Sequence, residues 1–216
     1  MIVSQYNILI ISVLSNFFIM HYGLSKVLLK YMERKLIVIT GGPGVGKTQL
    51  LNELSRKGYE TVSEDARRII REQMKINGEG LPWKNKALYS ELMLQASVET
   101  YRRVINEGSS NIIFFDRGIL DTICYMQMES IPISDELRIT VNLHAYQVKV
   151  FILPPWEEIY ETDSERKQTW EEAVYTFEKM KATYLEFGYE IVEVPKISVQ
   201  KRAGFVVDVV NNFRDK

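Results

Sequence analysis

The sequence predicts an α/β fold with a parallel five-stranded sheet flanked by helices, and three observations predict it. From Lys35 onward, short apolar runs alternate with longer stretches of helical spacing, the pattern of βαβ units. The runs are apolar at successive positions, as in Leu36-Ile-Val-Ile39, which suits strands covered on both faces. A glycine-rich turn joins the first run directly to the first helix.

The elements follow in order. After the strand at Leu36–Ile39, a helix is expected from about Gly46 to Lys57, closed by Gly58. A second strand covers about Tyr59 to Val62. Ser63 is placed to cap the next helix, which carries Glu64 and Asp65, because its hydroxyl can take a free backbone N–H. Asn77 to Gly80 breaks that helix, and Leu81-Pro82-Trp83 makes a short connection. A long helix from about Lys84 to Asn106, ended by Gly108, sets Leu94, Val98, Tyr101 and Ile105 on one face. Asn111 to Asp116 is a third strand, ending in an acid, and another helix begins near Gly118. Ser134 caps a helix with Leu137, Val141 and Leu143. Val148 to Leu153 is a fourth strand, stopped by Pro154 and Pro155. From about Thr169 a helix shows Trp170, Ala173, Phe177, Met180 and Tyr184 on one stripe. Gly188 stops it, Tyr189 to Val194 is a fifth strand, and a last helix runs from Ser198 to about Phe213.

Composition narrows the functional classes. Of 216 residues, 46% are hydrophobic and 25% charged, with a formal net charge of −1, so no basic field points to nucleic acid, and none is expected as a partner. The single cysteine, Cys124, excludes an internal disulfide and a cysteine-built metal site, and its apolar setting reads as a buried, inert thiol. His21 and His144 are too few for a histidine-rich metal centre.

Residues 1–31 form an apolar leader, and the domain is expected over 32–216. Met1 to Leu24 carry no Asp, Glu, Lys or Arg, yet the apolar core from Ile8 to Met20 is shorter than the ~20 residues of a membrane helix. Positive charge follows the run at Lys26, Lys30, Arg34 and Lys35 rather than preceding it, unlike a secretory signal. Three readings stay open: a packed or surface helix, a membrane anchor through residues 1–24, or a start-site artefact with Met32 as the true beginning. The rest is expected in the cytoplasm on each.

The chemistry centres on Gly41-x-x-x-x-Gly46-Lys47-Thr48, a full P-loop pattern with a strand before it and a helix after it. The expected binding set is Gly41, Gly42, Pro43, Gly44, Val45, Gly46, Lys47, Thr48 and Gln49. Glycines let backbone N–H groups turn around phosphate oxygens, and the helix N-terminus adds positive charge. Lys47 is expected to reach the β- and γ-phosphates of ATP (GTP is a second possibility), and Thr48 to ligate Mg²⁺. The chain is thereby expected to adopt a P-loop NTPase fold.

Asp116 stands where a Walker-B acid would hold Mg²⁺ opposite Thr48; a capping Asp is the alternative. Arg117, at the mouth of the sheet, is read either as a clamp on an anionic substrate or as a surface ion pair. Asp121 reads as a supporting or helix-start charge. Glu64 faces the same edge and is read either as the base for an acceptor hydroxyl or as a helix-dipole charge; Asp65 is a weaker case of the same pair. Arg67 and Arg68 read as surface charges, and Trp83 and Trp170 as core or lid packing. Pro195 and Lys196 stand where a loop could border the base. The polar stretch Asp163-Ser-Glu-Arg166-Lys167 reads as a short lid whose Arg166 closes on the γ-phosphate, against a solvated charge cluster.

With these residues assembled, the chain from about Met32 to Phe213 resembles the AAA-labelled P-loop family shared by the ribosylnicotinamide kinase part of NadR and the TRPL translocation defect protein. The matching pieces are the P-loop, Ser63-Glu64-Asp65-Ala66-Arg67, Leu81-Pro82-Trp83, Phe115-Asp116-Arg117-Gly118, Tyr160-x-x-Asp163-x-Glu165-Arg166, and Gly188-Tyr189 leading to Val194-Pro195. The resemblance implies a nucleoside- or nucleotide-kinase-like fold with a lid, and it leaves the acceptor unspecified. Two functions follow as expectations. One is a small-molecule kinase that uses Lys47, Glu64, Asp116, Arg117 and Arg166 on an unidentified acceptor. The other is a nucleotide-dependent regulatory ATPase or GTPase. The chain has no Asn-Lys-x-Asp guanine signature, which favours adenine.

Overall fold

The computed structural model describes residues 34–107, 110–159 and 169–212. Its strands are β1 (Lys35–Thr40), β2 (Glu60–Val62), β3 (Ile112–Asp116), β4 (Lys149–Ile152) and β5 (Glu190–Glu193). All pair in parallel in the order β2-β3-β1-β4-β5. The helices are α1 (Lys47–Arg56), α2 (Ala66–Lys75), α3 (Lys86–Glu107), α4 (Ile119–Met128), α5 (Asp135–Leu143), α6 (Trp170–Glu186) and α7 (Val199–Asn211), with a 3₁₀ turn at Glu157–Ile159.

The continuous apolar run of β1 is split between two cores by the alternation of a strand. Ile37 and Ile39 join Phe114 and Phe151 against Leu50, Leu51 and Leu54 of α1 and Ala203, Val206 and Val210 of α7. Val38 and Val150 face the other way, onto Ile119, Leu120 and Ile123 of α4 and Tyr184 of α6. Helices thus cover both faces. The expected stripe on α6 buries Ala173, Phe177, Met180 and Tyr184.

This layering places the site. The chain passes from β1 outward to β2 and back to β3, then crosses to β4 and β5, so its order reverses around β1. In an open α/β sheet, ligands bind beyond the carboxyl ends of the strands at that reversal. Two backbone bonds fix the end of β1 from both sides: Arg117 N–H donates to the Ile39 carbonyl at 3.0 Å and Leu153 N–H to the Thr40 carbonyl at 2.9 Å.

Local details differ from the sequence reading in three places. Ser63 does not cap α2, whose N-cap is Asp65 without a side-chain cap bond. The Asp65 carboxylate instead takes Arg68 Nη2 at 2.9 Å and Thr100 Oγ1 at 3.2 Å. Glu64 and Asp65 therefore precede the first turn of α2 rather than lying within it. Trp83 is 63% exposed, so it is not core packing. Leu143 points outward at the end of α5, while Val141 is buried and Ser134 Oγ caps the helix from Leu137 N–H at 3.2 Å. Residues 1–31, Gly108 and the lid from Asp163 to Lys167 lie outside the described residues. Among the described residues no helix is long and apolar enough to cross a membrane.

Candidate active site

The glycine loop owes its shape to backbone that side chains resist. Gly41, Gly44 and Gly46 take φ of 143°, 80° and 84°, in or beside the left-handed region that glycine enters at least cost. α1 starts at Lys47 with no acidic residue in its first turn, so its own sequence leaves its positive N-terminal end open to an anion. The Lys47 ammonium, almost fully buried, donates to the Gly41 and Gly42 carbonyls at 2.9 and 3.2 Å. Burial, reinforced by the Arg117 charge, lowers its pKa to about 8, against the pull of Asp116, Glu64 and Asp121. Those influences bring the sequence-predicted Lys47, Glu64, Asp116 and Arg117 into one electrostatic site. Pro43, Thr48 and Gln49 are exposed and Val45 is buried.

Across the cleft the site is made of side-chain charges. Asp121, near the start of α4, is the hub. Its carboxylate accepts from Thr40 Oγ1 at 2.5 Å, Tyr184 Oη at 2.6 Å, Arg117 Nη1 at 3.0 Å and the Gly118 amide at 2.8 Å. Gly118 is required here because a Cβ would lie 2.9 Å from Val38 Cγ2 and 3.1 Å from Tyr184 Oη. Arg117 adopts φ 70°, uncommon for a side-chain-bearing residue. Its guanidinium also pairs through Nε with Glu64 at 3.5 Å. Burial alone would ease its proton off, but Asp121, Glu64 and Asp116 outweigh that and hold it firmly charged. Arg117 is therefore neither a surface ion pair nor a free clamp: two carboxylates already hold it.

Asp116 ends β3 beside Ile39 of β1. Its pKa is raised by burial, only partly offset by Lys47 and Arg117. Asp116 Oδ1 is buried and accepts no hydrogen bond among the described residues. An orphaned carboxylate oxygen at the end of β3, close enough to feel the Lys47 charge, fits a metal ligand, and the Thr48 hydroxyl on the first turn of α1 is the second oxygen that the loop pattern offers. Among the described residues there is no cluster of three or more His, Cys, Asp or Glu suited to a metal. A cation here would rely on one or two protein oxygens plus phosphate oxygens, the habit of Mg²⁺.

A cavity at this edge is lined by Glu64, Asp65, Asp116 and Asp121 against the single cation Arg117, with Thr100 among its hydroxyls. Arg67 and Arg68 are exposed and turned to the surface. His144 is buried in a structural role, its ring between the Thr140 carbonyl at 2.7 Å and Arg102 Nε at 3.2 Å. Arg166 lies outside the described residues. One residue had no signal in the sequence at all. Arg202 of α7, only 4% exposed, donates from Nη1 to the Val45 carbonyl at 3.2 Å and faces the Trp156 ring at 5.6 Å. Pro195 and Lys196 line the same small recess.

With that geometry in hand, residues 36–202 match the family described as an AAA domain. The chain belongs to that family. No protein of curated function matches it in sequence. Solved structures do match this AAA domain in shape. NadR in complex with NR gives a TM-score of 0.69 at 18% identity over 95% of this chain and 59% of that one. NadR with NAD and AMP-PNP gives 0.62 at 20% over 94% and 57%, so the chain spans less than two thirds of NadR. Deoxyadenosine kinase from M. mycoides gives 0.54 at 18% identity, over 82% of this chain and 100% of that one. At such identities the likeness establishes the fold, a P-loop NTPase of the small-kinase type.

Proposed function

We propose that this chain is an Mg-ATP-dependent kinase that phosphorylates a hydroxyl of a small, nucleoside-like acceptor. What carries the reading is the cavity past the ends of β2 and β3, where Glu64 lines the same space as Asp116, an acid that feels the Lys47 charge of the glycine loop. NR, the ligand of NadR, is a compound to try first.

The mechanism follows from the residues. The loop amides and Lys47 bind the β- and γ-phosphates. Thr48 and Asp116 would hold Mg²⁺, which offsets phosphate charge as the leaving group departs. Glu64 takes the acceptor proton while the new O–P bond forms and the bond from the γ-phosphorus to the β-phosphate oxygen breaks, releasing ADP. Arg117 keeps the Glu64 carboxylate aimed at the acceptor. Arg166 closes over the γ-phosphate, and the acting domain is residues 32–216.

A regulatory ATPase is the second reading, favoured by one observation: the Glu64 carboxylate rests in an ion pair with Arg117 rather than free toward an acceptor. Purified protein with labelled Mg-ATP and a panel of neutral, cationic and anionic acceptors separates the two. The kinase reading expects transfer to a hydroxyl of at least one of them, with kcat reduced about 10²–10⁴-fold in Glu64→Gln and AMP-PNP binding kept. Nucleotide binding with no transfer to any acceptor would leave the regulatory ATPase.

A further inference from the structure

The Val45 carbonyl and the Gly46 amide belong to one planar peptide unit, and in a trans peptide they point in opposite directions. No cis bond interrupts the described chain. Arg202 Nη1 holds that carbonyl from the α7 side at 3.2 Å. The Gly46 N–H is thereby turned to the side opposite α7. The fit is close: a Cβ on Gly46 would lie 2.9 Å from Arg202 Nη1.

Arg202 is an unusual residue to bury for packing alone. It is 4% exposed, no acid pairs with it among the described residues, and its Nε is buried without a partner. An uncompensated buried guanidinium costs stability. Met would fill the same space under Trp156 without that cost.

We propose that Arg202 is a positioning residue of the nucleotide loop. It fixes the Val45–Gly46 peptide unit so that the Gly46 amide donates to bound polyphosphate. The proposal rests on the loop binding polyphosphate, as the functional reading holds.

Calorimetric titration of the full chain with Mg-AMP-PNP and with inorganic tripolyphosphate tests it, in wild type, Arg202→Met, Arg202→Gln and Arg202→Lys. Loss of a charge-assisted bond should raise Kd about tenfold to hundredfold for both ligands in Arg202→Met. Arg202→Lys, which keeps a cationic donor, should recover most of that loss. A purely structural Arg202 would instead lower the melting temperature and leave Kd of the folded protein unchanged, which overturns the proposal. Weakening confined to AMP-PNP would place its action at the nucleoside end beside Trp156, and that also overturns it. If Arg202→Met fails to fold, Arg202→Gln carries the same comparison with a neutral donor. Wild type that binds neither ligand would remove the functional reading itself, whereas wild-type binding with unimpaired variants would remove only the role of Arg202.

Discussion

Gly44 and Gly46 on the nucleotide side sit at φ of 80° and 84°, and Arg117 on the acceptor side sits at 70° with a full side chain. The same backbone region is reached by two different means. In the loop, glycine removes the strain. At Arg117 the strain, about 1–3 kcal/mol for such a conformation, is held in place by neighbours. Ile39 fixes its amide at 3.0 Å, and Asp121 and Glu64 fix its side chain. The nucleotide side is main chain whose shape depends on Gly41, Gly44 and Gly46, with Lys47, Thr48 and, on our proposal, Arg202 as its working side chains. The acceptor side is a set of charges that hold one another.

The largest break in that contrast is Lys47→Ala. It should lower Mg-AMP-PNP affinity about hundredfold or more, from loss of charge-assisted bonds to phosphate, with the fold retained because a desolvated buried charge is gone. Calorimetry and a melting curve check both halves. Asp121→Asn should do the reverse. Removing the charge that faces Arg117 should cost about 3 kcal/mol of stability, measured by urea unfolding, while AMP-PNP affinity stays within a few-fold of wild type. Collapse of nucleotide binding in this variant would show that the Thr40–Asp121 bond ties the two sides into one unit. The smallest effect is a proton. Lys47 titrates near pH 8 in the folded protein against 10.5 for an exposed lysine. A bound polyanion favours its charged form, so binding should take up a proton above about pH 8, with affinity falling by at most about tenfold per pH unit. Stability should move the other way: the unfolded chain binds more protons between about pH 8 and 10.5, so the fold gains with rising pH there. Titrations in buffers of different ionisation enthalpy, beside urea curves at each pH, would register both slopes.

The contrast also explains what sequence could and could not reveal. The loop was readable because each main-chain turn demands a residue type at a fixed spacing, and the strands because runs such as Leu36–Ile39 must be apolar on both faces. The acceptor network was only half readable. Glu64, Asp116 and Arg117 stand at strand ends, but the hub that organises them draws on Thr40, 81 positions from Asp121, and Tyr184, 63 positions from it. Tyr184 reads in sequence only as a core stripe, since periodicity reports its ring and not its hydroxyl. Arg202 is 157 residues from Val45 and sits on a helix where an arginine ordinarily means a solvated face. Ser63 was misread as a cap for the converse reason: local capping chemistry lost to Asp65, which Arg68 and Thr100 engage from other turns.

The lone thiol offers a use that its inertness makes possible. Cys124 lies on α4 one turn beyond Asp121, is 2% exposed, and burial lifts its pKa to about 11. It meets a labelling reagent only when α4 and the α6 side chains Phe177 and Met180 packed on it separate. The rate of thiol modification in native buffer therefore clocks local opening between α4, which carries Asp121 of the charge hub, and α6, which carries Tyr184, without any engineered probe, and nucleotide or acceptor added to the solution would slow that clock to the extent that each holds the two helices together.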